Sequence, residues 1–289
     1  MIRSKLFVPG SRPELFEKAA ASAADALSFD LEDAVSADKK FEARANIAGF
    51  LRNTNSLSGK VSIVRVNPVS SRLFSEDVQA VVGPGLDVIN LPKVESRDEV
   101  LAAIRAIANA EKAQGLSGKI AVLANVESPK GLRFASEIAT ADRRVAGLQI
   151  GFKDLLARWG IDSRDAVAQQ FVRLQVRLAA AEAGIPAYDG AFTDVKNIAA
   201  FRAEAENAKR MGFEGKTCIH PSQIPVANEV FAPTTAQIES ARKILSAASE
   251  AAARGEAVFT VEGEMVDEPV ILSAKAVIEL AAKLAEQQK

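Results

Sequence analysis

The chain has 289 residues, 48% of them hydrophobic and 25% charged, and its formal net charge is −1. That length can bury a large core, and α/β barrels of this size are often one domain. A near-zero net charge excludes a global basic field for nucleic acid or an anionic membrane.

No apolar run reaches the ~20 residues of a membrane helix. The opening Met1-Ile2-Arg3-Ser4-Lys5-Leu6-Phe7-Val8 reads as a first strand, too short for a signal-peptide apolar region. Cys218 is the only cysteine, which excludes an intrachain disulfide and a multi-cysteine metal site. The default expectation is a cytoplasmic protein.

In chain order, eight short β-like runs are expected at residues 5–8, 26–30, 61–66, 88–91, 120–126, 147–150, 186–189 and 217–220. Seven of the eight are followed by a helical pattern, clearest over 101–113 and 167–183, where apolar residues recur at three- and four-residue spacing. Pro13, Pro129 and Pro221 sit near helix starts, and Asp194 and Ser222 suit N-caps. Strict alternation of strand and helix implies a parallel sheet, and eight units imply closure into a (β/α)8 TIM barrel. A doubly wound open sheet is the alternative. Neither a Gly-x-Gly-x-x-Gly run after a strand nor a Walker motif is present, which removes support for nucleotide-cofactor readings. After about Ala252 the pattern changes to a small hairpin over 258–266 and a last helix from Asp267-Glu268-Pro269 to about Leu284. The expected organisation is a barrel domain over 1–250 and a C-terminal lid or oligomerisation extension over 251–289.

The ends of these strands would carry Asp30, Glu32, Asp33, Arg65, Asn67, Lys93, Glu127, Asp154, Asp189 and His220. In a barrel those ends converge on one face. Unpaired buried charge costs several kcal/mol, so such groups must be paired, metal-bound or solvated around a cleft. Glu127 and Asp154 are two hard oxygen ligands with no Cys/His cluster nearby, which suits Mg²⁺. Each could instead be a carboxylate favouring a helix N-terminus. Arg65 is a natural clamp for a small dicarboxylate or 2-oxo acid, or a structural partner of Asp30 or Asp33. Lys93 could be a Schiff-base lysine, an ion-pair partner or an anion ligand. His220 reads as a structural histidine and Cys218 as a core residue of the eighth strand.

Several ordered blocks carry a resemblance. They include Arg3-Ser4-Lys5-Leu6-Phe7-Val8-Pro9-Gly10, Phe29-Asp30-Leu31-Glu32-Asp33-Ala34-Val35, Glu127-Ser128-Pro129-Lys130-Gly131, Gly151-Phe152-Lys153-Asp154-Leu155 and the stretch from Gly212 to Ile224. Together they resemble the citrate lyase β-subunit-like branch of the HpcH/HpaI aldolase superfamily. The resemblance implies a TIM barrel, Mg²⁺ held by Glu127 and Asp154, and carbon–carbon bond chemistry on a 3-hydroxyacyl thioester. It implies that Arg65 binds the carboxylate of an oxo-acid product, with Glu127 also facing substrate. Asp267 would act as acid/base from an adjacent subunit, and Arg12 and Lys18 would lie near the CoA phosphates, with Gly10 opening backbone N–H groups to them. The expected function is cleavage of a malyl-, citramalyl- or citryl-CoA type thioester to acetyl-CoA and a 2-oxo acid such as oxaloacetate. Alternatives are a citrate lyase complex subunit acting on an acyl-carrier-protein thioester, or a non-catalytic acyl-thioester-binding barrel. A homotrimer or dimer of trimers is implied. One departure is Phe152-Lys153, where many relatives carry a small or acidic residue. A cation there lowers the negative charge beside Asp154.

Overall fold

A computed structural model describes residues 1–53, 57, 59–116 and 118–286. The chain divides into two compact units, Ile2–Asn228 and Glu229–Lys289, the latter together with Met1.

The larger unit is a closed barrel of eight parallel strands paired in sequence order. These are β1 (Ser4–Pro9), β2 (Ala26–Asp30), β3 (Val61–Arg65), β4 (Val88–Leu91), β5 (Ala121–Val126), β6 (Val145–Ile150), β7 (Ala187–Asp189) and β8 (Gly215–Cys218). Between them run α1 (Phe16–Ala20), α2 (Lys40–Arg52), α3 (Leu73–Val81), α4 (Arg97–Ala113), α5 (Pro129–Arg133), α6 (Ala135–Ala139), α7 (Phe152–Leu156), α8 (Ala166–Glu182) and α9 (Ile198–Arg210). The expected TIM barrel is therefore the architecture of this unit, and the open sheet is excluded by the β1–β8 pairing.

The two-residue period of each strand separates an inner from an outer face. Lys5 on β1 donates to Gln149 on β6, and Arg65 on β3 lies 4.8 Å from the Phe7 ring. Neither pair joins neighbouring strands, so these side chains meet inside the barrel. Leu6 and Val8, of the opposite parity, are 3% and 2% exposed and pack outward beneath the helices.

Strand boundaries fall close to those expected, with one displacement. The eighth strand runs over Gly215–Cys218, not over 217–220. Ser4 pairs with Lys216, and Tyr188 with Gly215, so both neighbours fix the ladder two residues earlier. A Cβ at Gly215 would stand 2.0 Å from the Ile2 carbonyl oxygen, so only glycine fits the close approach. His220 consequently lies past the strand. Its exposed ring accepts from the Ser222 N–H at 3.2 Å and caps the turn at Pro221–Gln223.

Helix caps also differ from expectation. Asn197, not Asp194, caps α9 by accepting from Ala200 N at 3.0 Å, because a turn from Asp194 to Asn197 delays the helix start. Ser222 is capped rather than capping. Pro13 and Pro221 open short 3-10 turns and Pro129 opens α5, where the missing N–H costs nothing.

Asp189, expected at the mouth, is fully buried. It accepts from Arg173 Nε at 2.9 Å and from Lys216 Nζ at 2.6 Å, and Lys216 also reaches Glu204 at 2.5 Å. Burial pushes the Asp189 carboxyl up, but the two cations outweigh it and hold it below its usual range. This network ties β7 and β8 to α8 and α9.

The smaller unit contains α11 (Thr235–Ala253), preceded by α10 (Ile224–Val230) across the boundary, then the hairpin β9 (Phe259–Val261) and β10 (Glu264–Val266), then α12 (Glu268–Glu286). Glu262 and Gly263, at φ of 53° and 88°, form the two-residue hairpin turn. Residue 250, the expected domain boundary, falls inside α11. Among the described residues no helix is long and apolar enough to cross a membrane.

Candidate active site

The C-terminal ends of β2 to β6 bring most of the expected residues to one mouth. Pairing places Asp30, Arg65 and Asn90 side by side across β2, β3 and β4. From that register Arg65 donates from Nε and Nη2 to the two oxygens of Asp30, both at 2.7 Å, a bidentate fork. Its Nη1 lies 2.9 Å from Glu32 Oε2. That contact is close enough for an ion pair but misaligned for a hydrogen bond, because Glu32 Oε2 is a buried oxygen without a hydrogen-bonding partner. Arg65 has five N–H donors. The Asp30 fork uses two, so donors remain free to meet a carboxylate. Arg65 is thus a structural partner of Asp30 that keeps N–H donors in reserve.

The protonation states follow from this packing. Burial pushes Asp30 up, yet the Arg65 fork outweighs it and holds Asp30 below its usual range. Burial lowers Arg65, and Asp30 more than compensates, so the guanidinium stays firmly charged. Glu32 ends above its usual range because burial wins over Arg65 and Lys93.

Lys93 follows β4 with a left-handed backbone, φ 53°. That conformation costs a non-glycine residue roughly 1–2 kcal/mol and is held only where the surroundings require it. Here it turns the Lys93 N–H onto Glu127 Oε2 at 2.9 Å, while its ammonium reaches Glu32 at 2.6 Å. Glu32 and Asp33 hold the Lys93 amine protonated against the pull of burial. A protonated amine is no nucleophile, so the Schiff-base role falls and the ion-pair role stands.

Glu127 stands just past β5 and is 5% exposed. Asn90 donates to Asn125 at 2.6 Å, and Asn125 donates to Glu127 Oε1 at 3.0 Å, so the inner wall orients the carboxylate. Burial, reinforced by Glu32 and opposed by Arg65, raises its pKa to about 7. Gly151 at the end of β6 permits its position, since a Cβ there would stand 2.5 Å from Glu127 Oε1. Asp154, in the first turn of α7, is exposed, and its charge is one of those that raise Glu127.

Among the described residues no three His, Cys, Asp or Glu side chains are grouped to hold a metal. Mg²⁺ is commonly held by one or two carboxylates and completes its shell with waters and substrate oxygens. Glu127 and Asp154 are the two carboxylates at this mouth that could serve as such ligands. Glu127, Ser128, Lys93 and Asp154 line one cleft of about 760 Å³, together with residues of α5 and of the segment after α7.

Other expected residues lie elsewhere. Asn67 is a structural pin that donates to Leu31 O and Asp77 and accepts from Lys40, thereby fixing the loop that carries Glu32. Gly10 donates its N–H to Asp30 O at 2.9 Å, so that amide is already committed to the strand ladder and does not face a phosphate. Arg12 and Lys18 are exposed after β1, with Arg12 paired to Glu14. Asp267 belongs to the smaller unit, where its side chain accepts from Val270 N at 3.4 Å at the start of α12.

Sequence reasoning missed Lys5 and Lys40. Lys5 is buried in the barrel interior, where burial and Arg65 depress its pKa well below the usual lysine range. A lysine at an inward position of an apolar strand was the available signal.

The sequence model of the HpcH/HpaI aldolase/citrate lyase family matches residues 3–221. The citrate lyase subunit beta of Haemophilus influenzae is 38% identical over 96% of both chains. A (3S)-malyl-CoA thioesterase of Cereibacter sphaeroides is 37% identical over 98% of this chain and 95% of its own. A crystal structure of protein CitE from Mycobacterium tuberculosis, in complex with magnesium, acetoacetate and coenzyme A, superposes with a TM-score of 0.79 at 32% identity, covering 96% of this chain and 97% of that one. The barrel closure, the strand-end carboxylates and these end-to-end matches agree, and the chain belongs to the HpcH/HpaI aldolase/citrate lyase family.

Proposed function

We propose that the protein is a Mg²⁺-dependent carbon–carbon lyase that splits a short 3-hydroxyacyl-CoA thioester of the malyl, citramalyl or citryl type into acetyl-CoA and a 2-oxo acid. The observation that carries this reading is the pair Glu127 and Asp154 on neighbouring strand ends beside an Arg65 with donors to spare.

When bound, Mg²⁺ lowers the pKa of a chelated hydroxyl and polarises the oxo acid. The chain supplies the rest. Glu127 and Asp154 hold the ion. The free N–H groups of Arg65 orient the acid carboxylate and neutralise charge that grows on it. Asp267, from an adjacent subunit, takes the proton of the C3 hydroxyl as the carbon–carbon bond breaks and returns it to the α-carbon of the departing thioester enolate. Arg12 and Lys18 receive the CoA phosphates.

The test is a panel of malyl-, citramalyl- and citryl-CoA and a citryl acyl-carrier protein, with Mg²⁺, read for both oxo acid and free thiol. Oxo-acid release from a CoA ester supports the lyase. Free thiol without oxo acid means thioester hydrolysis, turnover of the carrier-protein ester alone means a complex subunit, and saturable binding without turnover means a binding barrel. In the same panel Arg12→Ala and Lys18→Ala are expected to raise KM for CoA esters several-fold with little change in kcat.

Self-association is part of the proposal. Val167, Phe171, Leu174 and Leu178 form one apolar stripe along α8, each at least 52% exposed. Burying large side chains of this kind contributes roughly 1.5–3 kcal/mol each. Phe171→Glu with Leu178→Glu is expected to turn a trimer, or a dimer of trimers, into monomers by light scattering. Mixing Asp267→Ala chains with Arg65→Ala chains is expected to restore part of the activity that each lacks. Dead mixtures of demonstrably exchanging subunits would refute the shared site.

A further inference from the structure

TIM barrels ordinarily fill their interior with branched apolar side chains, four from alternate strands in each layer. Here the layer supplied by the even strands is polar. Ser28 on β2, Asn90 on β4, Gln149 on β6 and Thr217 on β8 are all buried. Register carries each of them to the inner face: Thr217 pairs with Lys5, Ser28 with Phe7, Asn90 with Arg65 and Gln149 with Asn125. A stagger of about one residue per strand, usual in such barrels, sets the four at one level. Lys5 reaches into that level from β1, where its amine donates to Gln149 and lies 4.8 Å from the Phe7 ring. Among the described residues no carboxylate forms an ion pair with Lys5. Three oxygens of the layer, Ser28 Oγ, Asn90 Oδ1 and Thr217 Oγ1, have no hydrogen-bonding partner in the protein. Buried polar atoms are almost always bonded, to protein or to ordered water.

The chemistry of the layer selects its ligand. A bare cation is repelled by Lys5 and Arg65. An anion is repelled by Asn90 Oδ1, which can only accept, and the Asn90 amide nitrogen is committed to Leu123 O at 3.0 Å and Asn125 Oδ1 at 2.6 Å. Water both donates and accepts, so it alone satisfies the hydroxyls, the amide oxygen and the amine together. We infer that the barrel interior binds ordered water between Lys5 and Asn90, and that Lys5 acts through it as a positioning residue for Glu127. The inference rests on the proposed metal role of Glu127 and names a residue that supports it. The hydrogen bonds run one way. A Lys5 N–H donates to the water, the water to Asn90 Oδ1, Asn90 to Asn125 Oδ1, and Asn125 to Glu127 Oε1 at 3.0 Å. Such a head-to-tail row polarises its members and strengthens its last donor, the one that meets the carboxylate. It requires no particular charge on Lys5, because even a neutral amine keeps an N–H beyond the one given to Gln149. The row also accounts for a lysine in a barrel core, where an apolar side chain would avoid the cost of desolvating an amine.

Crystal structures of the full chain, wild type and Lys5→Met, test the water directly. The wild type is expected to show a water within hydrogen-bond distance of both Lys5 Nζ and Asn90 Oδ1. Lys5→Met, a nearly isosteric change, is expected to lose it and to let the Glu127 carboxylate turn away from Asn125. In calorimetric titration Mg²⁺ is expected to bind Lys5→Met about fivefold to tenfold more weakly than the wild type, the scale of one hydrogen bond. Asn90→Leu cuts the same row, so adding Lys5→Met to it is expected to weaken Mg²⁺ binding no further. No bridging water in the wild type overturns the inference. So does a folded Lys5→Met protein with an unmoved Glu127 carboxylate and unchanged Mg²⁺ affinity, since a merely structural lysine would shift only the urea midpoint. Full additivity in the double variant overturns it as well. If Lys5→Met does not fold, the wild-type crystal decides alone. A wild type that binds no Mg²⁺ but shows the water, with the carboxylate displaced in Lys5→Met, refutes the metal reading and leaves the positioning row standing.

Discussion

Glu127→Ala and Asp154→Ala are each expected to lower turnover by about a thousandfold or more, since a metal contributes several kcal/mol of transition-state stabilisation. Far-UV circular dichroism should stay native. Glu127 makes the sharper test because its burial has a second consequence. Its pKa is raised from 4.5 to about 7, chiefly by burial. In the metal-free protein the folded state then holds a proton between these values that the unfolded chain releases. Stability therefore falls as pH rises from about 4.5 to about 7 and stays flat above. The accumulated cost is on the order of 3 kcal/mol. Glu127→Gln removes it, so the metal-free variant is expected to be more stable than the wild type at pH 8 in urea unfolding, with the gap closing at pH 5. Protons and Mg²⁺ compete for the same oxygens, so Mg²⁺ affinity is expected to drop up to tenfold per unit below pH 7. Full turnover of Glu127→Ala, or of the wild type in excess EDTA, would remove the metal reading altogether.

Arg65→Ala is expected to act on fold and chemistry together. It strands Asp30, 1% exposed, and Glu32, 4% exposed, without their guanidinium. Breaking a buried pair by removing one partner costs about 3–5 kcal/mol. In the wild type Asp30, held low by Arg65, contributes stability at neutral pH that is lost as pH falls through the carboxylate range; in Arg65→Ala that contribution is absent at neutral pH. Arg65→Lys separates the two roles. It keeps a charge near Asp30 but cannot form the fork and still present donors to a substrate. Its unfolding midpoint in urea should lie between those of the wild type and Arg65→Ala, with KM raised at least tenfold. If Arg65→Ala melts like the wild type and keeps its KM, Arg65 is neither clamp nor bridge.

The strand-end positions of Glu127, Asp154 and Arg65 were legible because a parallel barrel converts chain order into geometry. A polar residue that closes an apolar run is carried to the C-terminal end of its strand. The order of eight strands, the hairpin over 258–266 and the final helix were legible for the same local reasons, namely side-chain periodicity and turn residues. Register was not. Whether β8 begins at Gly215 or two residues later depends on a close approach of the Ile2 carbonyl, which no local pattern encodes.

Side-chain partnership was likewise a tertiary decision. Asp189 and Glu127 look alike in sequence, each a carboxylate at the end of an apolar run. Arg173 and Lys216 neutralise the first, while burial, reinforced by Glu32 and Asp154, raises the pKa of the second. Nothing nearby in sequence foretells which carboxylate meets a cation. Arg173 is 16 residues from Asp189, and Lys93 is 61 residues from Glu32. The sequence by itself determined the barrel and the strand-end positions of Glu127, Arg65 and Asp30, because both follow from local periodicity. Only the tertiary structure decided which of those residues neutralise one another and which remain free for chemistry, because that depends on distances between segments far apart in the chain.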